Sequence, residues 1–237
     1  MRIFTHINRF LLSFISVIFK KFSPVRWKEF NELNYWKYRK KIEGVFSNKH
    51  YEYFYTTHFG LDISYYKNMT ILDIGCGPRG SLEWASSAFL RIGLDPLARE
   101  YLHLGINKQL MEYIAAYSES IPLKEEVCHA VFSFNSLDHV VSIEKTIMEI
   151  KRVVRPGGIF LLIVEVNHSP TVCEPHKLNP TDLIRFLKPE FYCEQLQVYA
   201  PGANGIYDSI LADKKLPNPV NTNEKGYLSA KFIKSKN

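Results

Sequence analysis

The sequence of 237 residues lacks the features that mark several classes of protein. It has four cysteines, none of them in C-x-x-C spacing, so we expect free thiols in a reducing compartment. It has no internal repeats and no low-complexity tracts. Its strongest apolar run, residues 10–19, is shorter than the roughly 20 residues that span a bilayer, and no small-residue cleavage site follows it. We therefore expect one large α/β domain with an appendage and no secretory signal.

Most of the chain has no excess of basic over acidic residues. Residues 1–60 contain 11 Lys/Arg and 4 Asp/Glu, whereas residues 61–237 contain 19 and 20. An enzyme that acts on nucleic acid usually carries a basic stripe around its active site. The sequence therefore predicts no nucleic-acid partner.

The basic character belongs to the N-terminal arm. Residues 2–20 are predicted to form an amphipathic helix whose thin polar stripe is spaced three and four apart. One interpretation is a helix lying in a membrane surface, with Lys20, Lys21, Arg26 and Lys28 facing anionic lipid. The other is a helix that packs on its own domain or on a second copy. We expect a cytoplasmic protein, which in the first interpretation is peripheral on the inner face of the membrane.

Residues 70–80 contain the most informative motif. Residues 70–74 are predicted to form a short buried strand, and Gly75, Gly77 and Gly80 fit the pattern G-x-G-x-x-G. Glycine allows a tight turn and the close approach of a ligand to bare backbone. A helix over residues 81–89 is predicted to follow and to direct its unpaired N–H groups at the turn. The pattern is typical of a site that binds a nucleotide.

Asp73 indicates which kind of nucleotide is bound. A carboxylate at the end of the strand would repel the pyrophosphate of a dinucleotide, but it suits a ligand with an ammonium or sulfonium group. The run Leu72-Asp73-Ile74-Gly75-Cys76-Gly77 resembles the first motif of the class I S-adenosylmethionine-dependent methyltransferases. A second stretch, residues 149–158, resembles a further motif of the small-molecule branch, which includes methyltransferases of quinone biosynthesis.

The resemblance implies an α/β fold with a Rossmann-like, seven-stranded, mostly parallel sheet, helices on both faces and one antiparallel strand near the edge. It divides the chain into a basic N-terminal helix (1–22), an aromatic-rich helical cap (23–66) and a methyltransferase domain (67–237). Within the cap, Tyr55 and His58 are possible pocket residues. Strands are predicted at 91–94, 111–116, 130–134, 159–166, 192–200 and 226–234, and helices at 97–110, 143–154 and 180–187.

S-adenosylmethionine is the cofactor that the resemblance implies. Asp95 lies 20 residues after Gly75, where an acidic side chain can accept the ribose hydroxyls or cap the helix that begins at Pro96. Tyr117 stands where many relatives have an aspartate that bonds the adenine, so Ser118 is a substitute, and Glu119 is either a ligand or a solvated turn residue. The predicted cofactor-binding residues are Asp73, Gly75, Cys76, Gly77, Gly80, Asp95, Pro96, Ser118, Glu119, Asn135 and Ser136.

The candidate catalytic residues follow the strands that end at the same edge of the sheet. His139 matches a histidine of the small-molecule branch and is the first candidate base, with His168 and His176 as the second, because imidazole titrates near working pH. Glu165 is a candidate for orienting a base or binding a cationic substrate.

The loop after the fifth strand has two interpretations. Cys173, Glu174 and His176, with His168, can be interpreted as metal ligands, but their spacing fits no standard zinc site. We therefore predict no metal and a loop on the substrate side.

Three functions are consistent with these motifs. The first is methyl transfer to an O, N or C atom of a small-molecule, lipid-linked or envelope-glycan acceptor. The second is a non-catalytic subunit that binds S-adenosylmethionine. The third is an NAD(P)-dependent oxidoreductase, against which Asp73 argues.

Overall fold

The computed structural model describes residues 24–171 and 173–236. The predicted helix over residues 2–20 lies outside them. The chain divides into two compact units after Gly44. The described part of the first unit is helix α1 (Pro24–Glu43), on which Arg39 and Glu43 form an ion pair one turn apart. No helix in these residues combines the length and the apolarity needed to cross a membrane.

The second unit is built on a seven-stranded sheet with the order β3-β2-β1-β4-β5-β7-β6. The first five strands are parallel, and β7 is antiparallel to both of its neighbours. This is the predicted fold, including the antiparallel strand near one edge. The strands are β1 (Thr70–Ile74), β2 (Leu90–Leu94), β3 (Glu112–Ile114), β4 (Cys128–Phe134), β5 (Val154–Val166), β6 (Phe191–Tyr199) and β7 (Gly226–Lys234).

Helices cover both faces of the sheet. The alternation of side chains along β1 directs Leu72 and Ile74 to one face, where they join the cluster that contains α4 (Ile143–Val153) and α5 (Pro180–Leu187). The other face is covered by an aromatic cluster that includes Ile71 of β1. Asp73 shares that aromatic face because it lies two residues after Ile71. The helices on this side are α2 (Tyr51–Tyr55) and α6 (Ile206–Leu211), with 3₁₀ turns at Thr57–Phe59 and Ile63–Tyr66.

The helix predicted over residues 81–89 is wrong, because this segment forms a series of turns. Its backbone bonds join residues three apart, as in Glu83 N to Gly80 O and Ala85 N to Leu82 O. Leu82 and Ala85 are fully buried, so side chains three apart fill the core on the same side. The glycine turn therefore has no helix N-terminus behind it to favour a pyrophosphate.

The helix predicted over residues 97–110 is shorter than expected. It consists of α3 (Ala98–Tyr101) followed by 3₁₀ turns at Leu102–Leu104 and Ile106–Lys108, because Gly105 has φ +94° and interrupts it. By contrast, α5 has the predicted bounds. The side chain of Asn179 accepts the N–H of Asp182 at 2.8 Å, and Pro180 occupies the first turn.

Arg152 joins α4 to the loop between β3 and β4. Its guanidinium bonds both oxygens of Glu149 at 2.7 Å, and it donates to the carbonyls of Leu123 at 2.7 Å and Ile121 at 2.8 Å. Glu149 also accepts the N–H of Ile121. Within residues 149–158, Glu149 and Arg152 thus hold the loop between β3 and β4 against α4.

We expect Arg152→Ala to lower the free energy of unfolding by about 2 kcal/mol, because two loop carbonyls and a carboxylate lose a charged donor. Arg185 is a matched control, since it has the same i,i+3 ion pair with Asp182 but its side chain is 72% exposed. Arg185→Ala should cost no more than about 0.5 kcal/mol. Urea unfolding followed by circular dichroism measures both, and equal losses would show that the loop bonds contribute nothing.

Candidate functional site

The glycine turn follows β1 at the carboxyl edge of the parallel strands. Gly75, Gly77 and Gly80 have φ values of +69°, +56° and +73°, which favour glycine at each position. A Cβ atom on Gly75 would lie only 2.4 Å from the Cβ of Ser136, so β1 and the end of β4 approach each other closely here. Cys76 lies beneath the turn, where its Sγ would be 2.7 Å from a Cβ on Gly93.

Asp73 is buried directly beneath the turn. Its Oδ2 accepts the hydroxyl of Tyr55 at 2.9 Å and also the hydroxyl of Ser81. Both donors are neutral, and no ion pair to Asp73 forms among residues 24–171 and 173–236. Burial consequently raises the pKa of this carboxyl to about 7. A cationic group bound beside Asp73 would stabilise the ionised form.

Asp95 lies at the end of β2 and connects two segments. Its Oδ1 accepts the N–H of Leu97 at 2.9 Å, and its Oδ2 accepts the N–H of Gly77 at 3.1 Å. The predicted capping role is wrong, because α3 begins at Ala98 and Leu97, which has no side-chain cap bond, precedes it. The carboxylate therefore holds the glycine turn and the residues after Pro96 together at one edge of the sheet.

Asn135 and Ser136 end β4 beside the glycine turn. The N–H of Asn135 donates to the carbonyl of Ile163 at 2.7 Å, and its φ of +54° turns the chain out of the strand. The hydroxyl of Ser136 donates to the carbonyl of Ile74 at 2.7 Å. Together with Asp73, Gly75 and Asp95, these residues form the group that the structure brings together, which we call the turn site.

Ser118 and Glu119 make contacts within the protein. The hydroxyl of Ser118 is 2.8 Å from that of Thr146 on α4. The carboxylate of Glu119 accepts the N–H groups of Val141 and Ser142 at 2.6 and 3.0 Å, just before α4 begins. Glu119 is thus used to hold the start of that helix.

Two of the candidate bases lie around a buried carboxylate. Asp138 and His139 belong to a 3₁₀ turn after β4, and His168 follows β5. The Nε2 of His139 is 3.8 Å from Asp138 Oδ1 and 3.9 Å from Glu174 Oε1, whereas the Nε2 of His168 is 3.8 Å from Asp138 Oδ2. We call these four residues the Asp138 cluster.

The other two candidates are engaged elsewhere. The Nε2 of His176 donates to the carbonyl of Val140 at 2.8 Å, and Glu165 pairs with Lys225 at 2.7 Å. Of the possible pocket residues, Tyr55 bonds Asp73, while His58 lies 2.7 Å from the hydroxyl of Ser229. Burial lowers the pKa of His58 to about 4. All four cysteines are free thiols, as expected.

Sequence reasoning missed three functional contacts. Ser81 was assigned to a helix, but its hydroxyl bonds Asp73. Asp138 and Glu174 are not among the predicted catalytic residues, although both contact His139, and Glu174 is named only in the metal interpretation of the loop. The adjacency of Asp138 to His139 was a usable signal, whereas nothing in the spacing connects Glu174 to them.

Comparison with protein families finds a methyltransferase domain over residues 72–162, a range that runs from β1 into β5. A sterol 4-C-methyltransferase of Caenorhabditis elegans is 26% identical over 113 residues, which cover 44% of this chain and 34% of the relative. An uncharacterised protein of Methanocaldococcus jannaschii is 30% identical over 95 residues, covering 40% of this chain and 36% of the relative. The chain thus spans about a third of the length of these relatives.

Among solved structures, an S-adenosylmethionine-dependent methyltransferase of Mesorhizobium loti has the same fold. Its TM-score is 0.55 at 18% identity, and the match covers 71% of this chain and 92% of that chain. Together with the domain match, this confirms the predicted fold and the predicted resemblance to class I methyltransferases, whose members bind S-adenosylmethionine.

Proposed function

Residues 72–162 carry a methyltransferase domain of the class I type, and we propose that the protein moves a methyl group from S-adenosylmethionine to a small-molecule or lipid-linked acceptor. The main support for this activity is that the carboxyl of Asp73 is buried without an ion-pair partner among the described residues. Its position under the glycine turn suits a ligand whose end is positively charged.

The turn site fits the cofactor residue by residue. The bare backbone of Gly75 and Gly77 would face the amino-acid end, and Asp73 would offset its positive charge. Asp95 retains acceptor capacity for a ribose hydroxyl, because each carboxylate oxygen has two lone pairs. Bound there, the cofactor would supply an electrophilic methyl group on a sulfonium. The protein's part is to align donor and acceptor and to exclude water.

The acceptor is proposed to be small and largely apolar. The support is that a sterol methyltransferase is among the relatives. Where the acceptor atom carries a proton, His139 is the candidate base, because its side chain is 26% exposed while His168 is buried.

We propose that the N-terminal arm attaches the protein to an anionic membrane. The support is α1, on which Tyr35, Tyr38 and Ile42 are more than half exposed at helical spacing beside a series of basic residues. We expect the full chain to float with vesicles that contain phosphatidylglycerol and not with pure phosphatidylcholine. A chain without residues 1–43, which lacks α1, should lose most of this binding, and unchanged flotation would contradict the proposal.

A transfer assay tests the activity. Purified protein, labelled S-adenosylmethionine and cell extract should give labelled acceptor in the organic phase, whereas the Asp73→Asn variant should give almost none. Cofactor binding without any transfer would favour the non-catalytic subunit. Binding of NAD in place of S-adenosylmethionine would favour the oxidoreductase.

A further inference from the structure

The Asp138 cluster contains more acceptors than donors. Asp138 is 1% exposed, and neither of its carboxylate oxygens has a hydrogen-bond partner among the described residues. Leaving both oxygens of a buried carboxylate unpaired costs free energy, so such a group calls for an explanation.

His168 adds a further lone pair to the cluster. Its Nδ1 is 2.9 Å from the carbonyl of Ser169, and because a carbonyl only accepts, Nδ1 carries the proton. In the neutral ring Nε2 is then an acceptor. This atom is buried, has no hydrogen-bond partner in the described chain, and faces Asp138 Oδ2 at 3.8 Å. Two hydrogen-bond acceptors, His168 Nε2 and Asp138 Oδ2, therefore face each other, and a cation near them would stabilise both.

The separations suit a metal ion better than direct hydrogen bonds. The three distances of 3.8, 3.9 and 3.8 Å are longer than an ordinary hydrogen bond. Two ligand atoms about 2.1 Å from a tetrahedral ion lie about 3.4 Å apart. One ligand atom each from Asp138, His139 and Glu174 lies within 4.8 Å of the others. Small side-chain rotations would bring them onto one ion.

We propose that Asp138, His139 and Glu174 bind a divalent transition-metal ion, beside which His168 Nε2 faces the second oxygen of the Asp138 carboxylate. Imidazole with carboxylate oxygen suits Zn²⁺, Mn²⁺ or Fe²⁺ better than Mg²⁺. The side chains of His139 and Glu174 are 26% and 34% exposed, so the site is open on one side to a water or to an oxygen atom of a ligand.

The position of the metal site beside the turn site indicates a role in binding the acceptor. Asp138 lies two residues after Ser136, which touches the glycine turn. Resting on the proposed function, we infer that the ion binds an oxygen atom of the acceptor and lowers the pKa of a hydroxyl group there, which loses its proton to water. With the ion bound, His139 serves as a ligand and not as the base. This would specify acceptors that carry a hydroxyl or carboxylate.

Calorimetric titration of the tag-free full chain, after removal of metals with EDTA, tests the site. We expect about one equivalent of Zn²⁺ or Mn²⁺ to bind and to raise the melting temperature. Glu174→Gln and His139→Ala should each weaken binding by at least about tenfold. Asp213→Asn is the control, because Asp213 is an exposed carboxylate paired with Lys215, and its binding should be unchanged.

Either of two results would overturn the metal site. The first is the absence of saturable binding, in which case the cation is a proton shared by Asp138 and His168. The second is equal affinity in the cluster variants and the control. Glu174 lies on a loop and is partly exposed, so its variant should fold. Titration of the same metal-free sample with S-adenosylmethionine tests cofactor binding separately from metal binding. If the metal does not bind, the result for the cofactor still holds, and the reverse is also true.

Discussion

We expect the Asp73→Asn variant to bind S-adenosylmethionine at least about 30-fold more weakly than the wild type while keeping its fold. The loss corresponds to about 2 kcal/mol or more, which is typical when one member of a buried charge pair is removed. Asparagine has nearly the same shape and still accepts the hydroxyl of Tyr55. Stability should not fall, because the buried carboxyl has no ion-pair partner to lose among the described residues.

The same carboxyl predicts how affinity depends on pH. Burial raises the pKa of Asp73 to about 7, so the carboxyl is largely neutral below that pH. Affinity for the cationic cofactor should therefore rise as the pH increases from about 5.5 to about 7.5, and the rise should be absent in Asp73→Asn. The folded-state pKa lies above the unfolded value, so the contribution of this group to stability is full at low pH and is lost as the pH rises through about 7.

Calorimetric titration with the cofactor at several pH values measures both effects. Asp208→Asn, a change at an exposed carboxylate on α6, controls for the loss of one negative charge. If Asp73→Asn bound as tightly as this control at every pH, Asp73 would have no part in cofactor binding.

The Gly75→Ala variant should lose about 2–4 kcal/mol of unfolding free energy. A left-handed φ of +69° costs an alanine about 1 kcal/mol. The added Cβ would also lie 2.4 Å from that of Ser136, and such overpacking costs about 1–3 kcal/mol more. The displaced backbone belongs to the turn site, so cofactor affinity should fall as well.

Gly44 is the matched control for this variant. It has nearly the same φ, +68°, and an added Cβ would meet no atom within 4 Å among the residues that the structure describes. Gly44→Ala should therefore show the backbone cost alone, about 1 kcal/mol. In a Ser136→Gly background, Gly75→Ala should cost little more than this control. Urea unfolding of the four variants gives the coupling energy, and a value near zero would show that the contact with Ser136 does not matter.

The local signals in the sequence predict the central sheet well. Short apolar runs locate the strands to within a few residues, and the Asn179-Pro180 pair locates the start of α5. The expectation of one antiparallel strand near the edge rests on the family resemblance and not on periodicity. The segment after Gly80 was mispredicted, because Ser81 turns its hydroxyl to Asp73 and side chains three apart are buried, and neither contact is visible in the sequence.

The candidate site was predicted less completely for the same reason. Asp73 and Asp95 were found because their positions relative to Gly75 have a chemical meaning. Glu119 is predicted to be either a ligand or a solvated turn residue, but it accepts backbone N–H groups 22 and 23 residues away. The approach of Glu174 to His139 depends on the path of a loop, which no local pattern specifies.

Isothermal titration of the purified full chain with S-adenosylmethionine and, separately, with NAD tests the central claim most directly. We expect saturable binding of S-adenosylmethionine with one site per chain and no measurable heat with NAD. Binding of NAD without binding of the methyl donor would contradict the assignment of the buried Asp73 carboxyl to a cationic ligand.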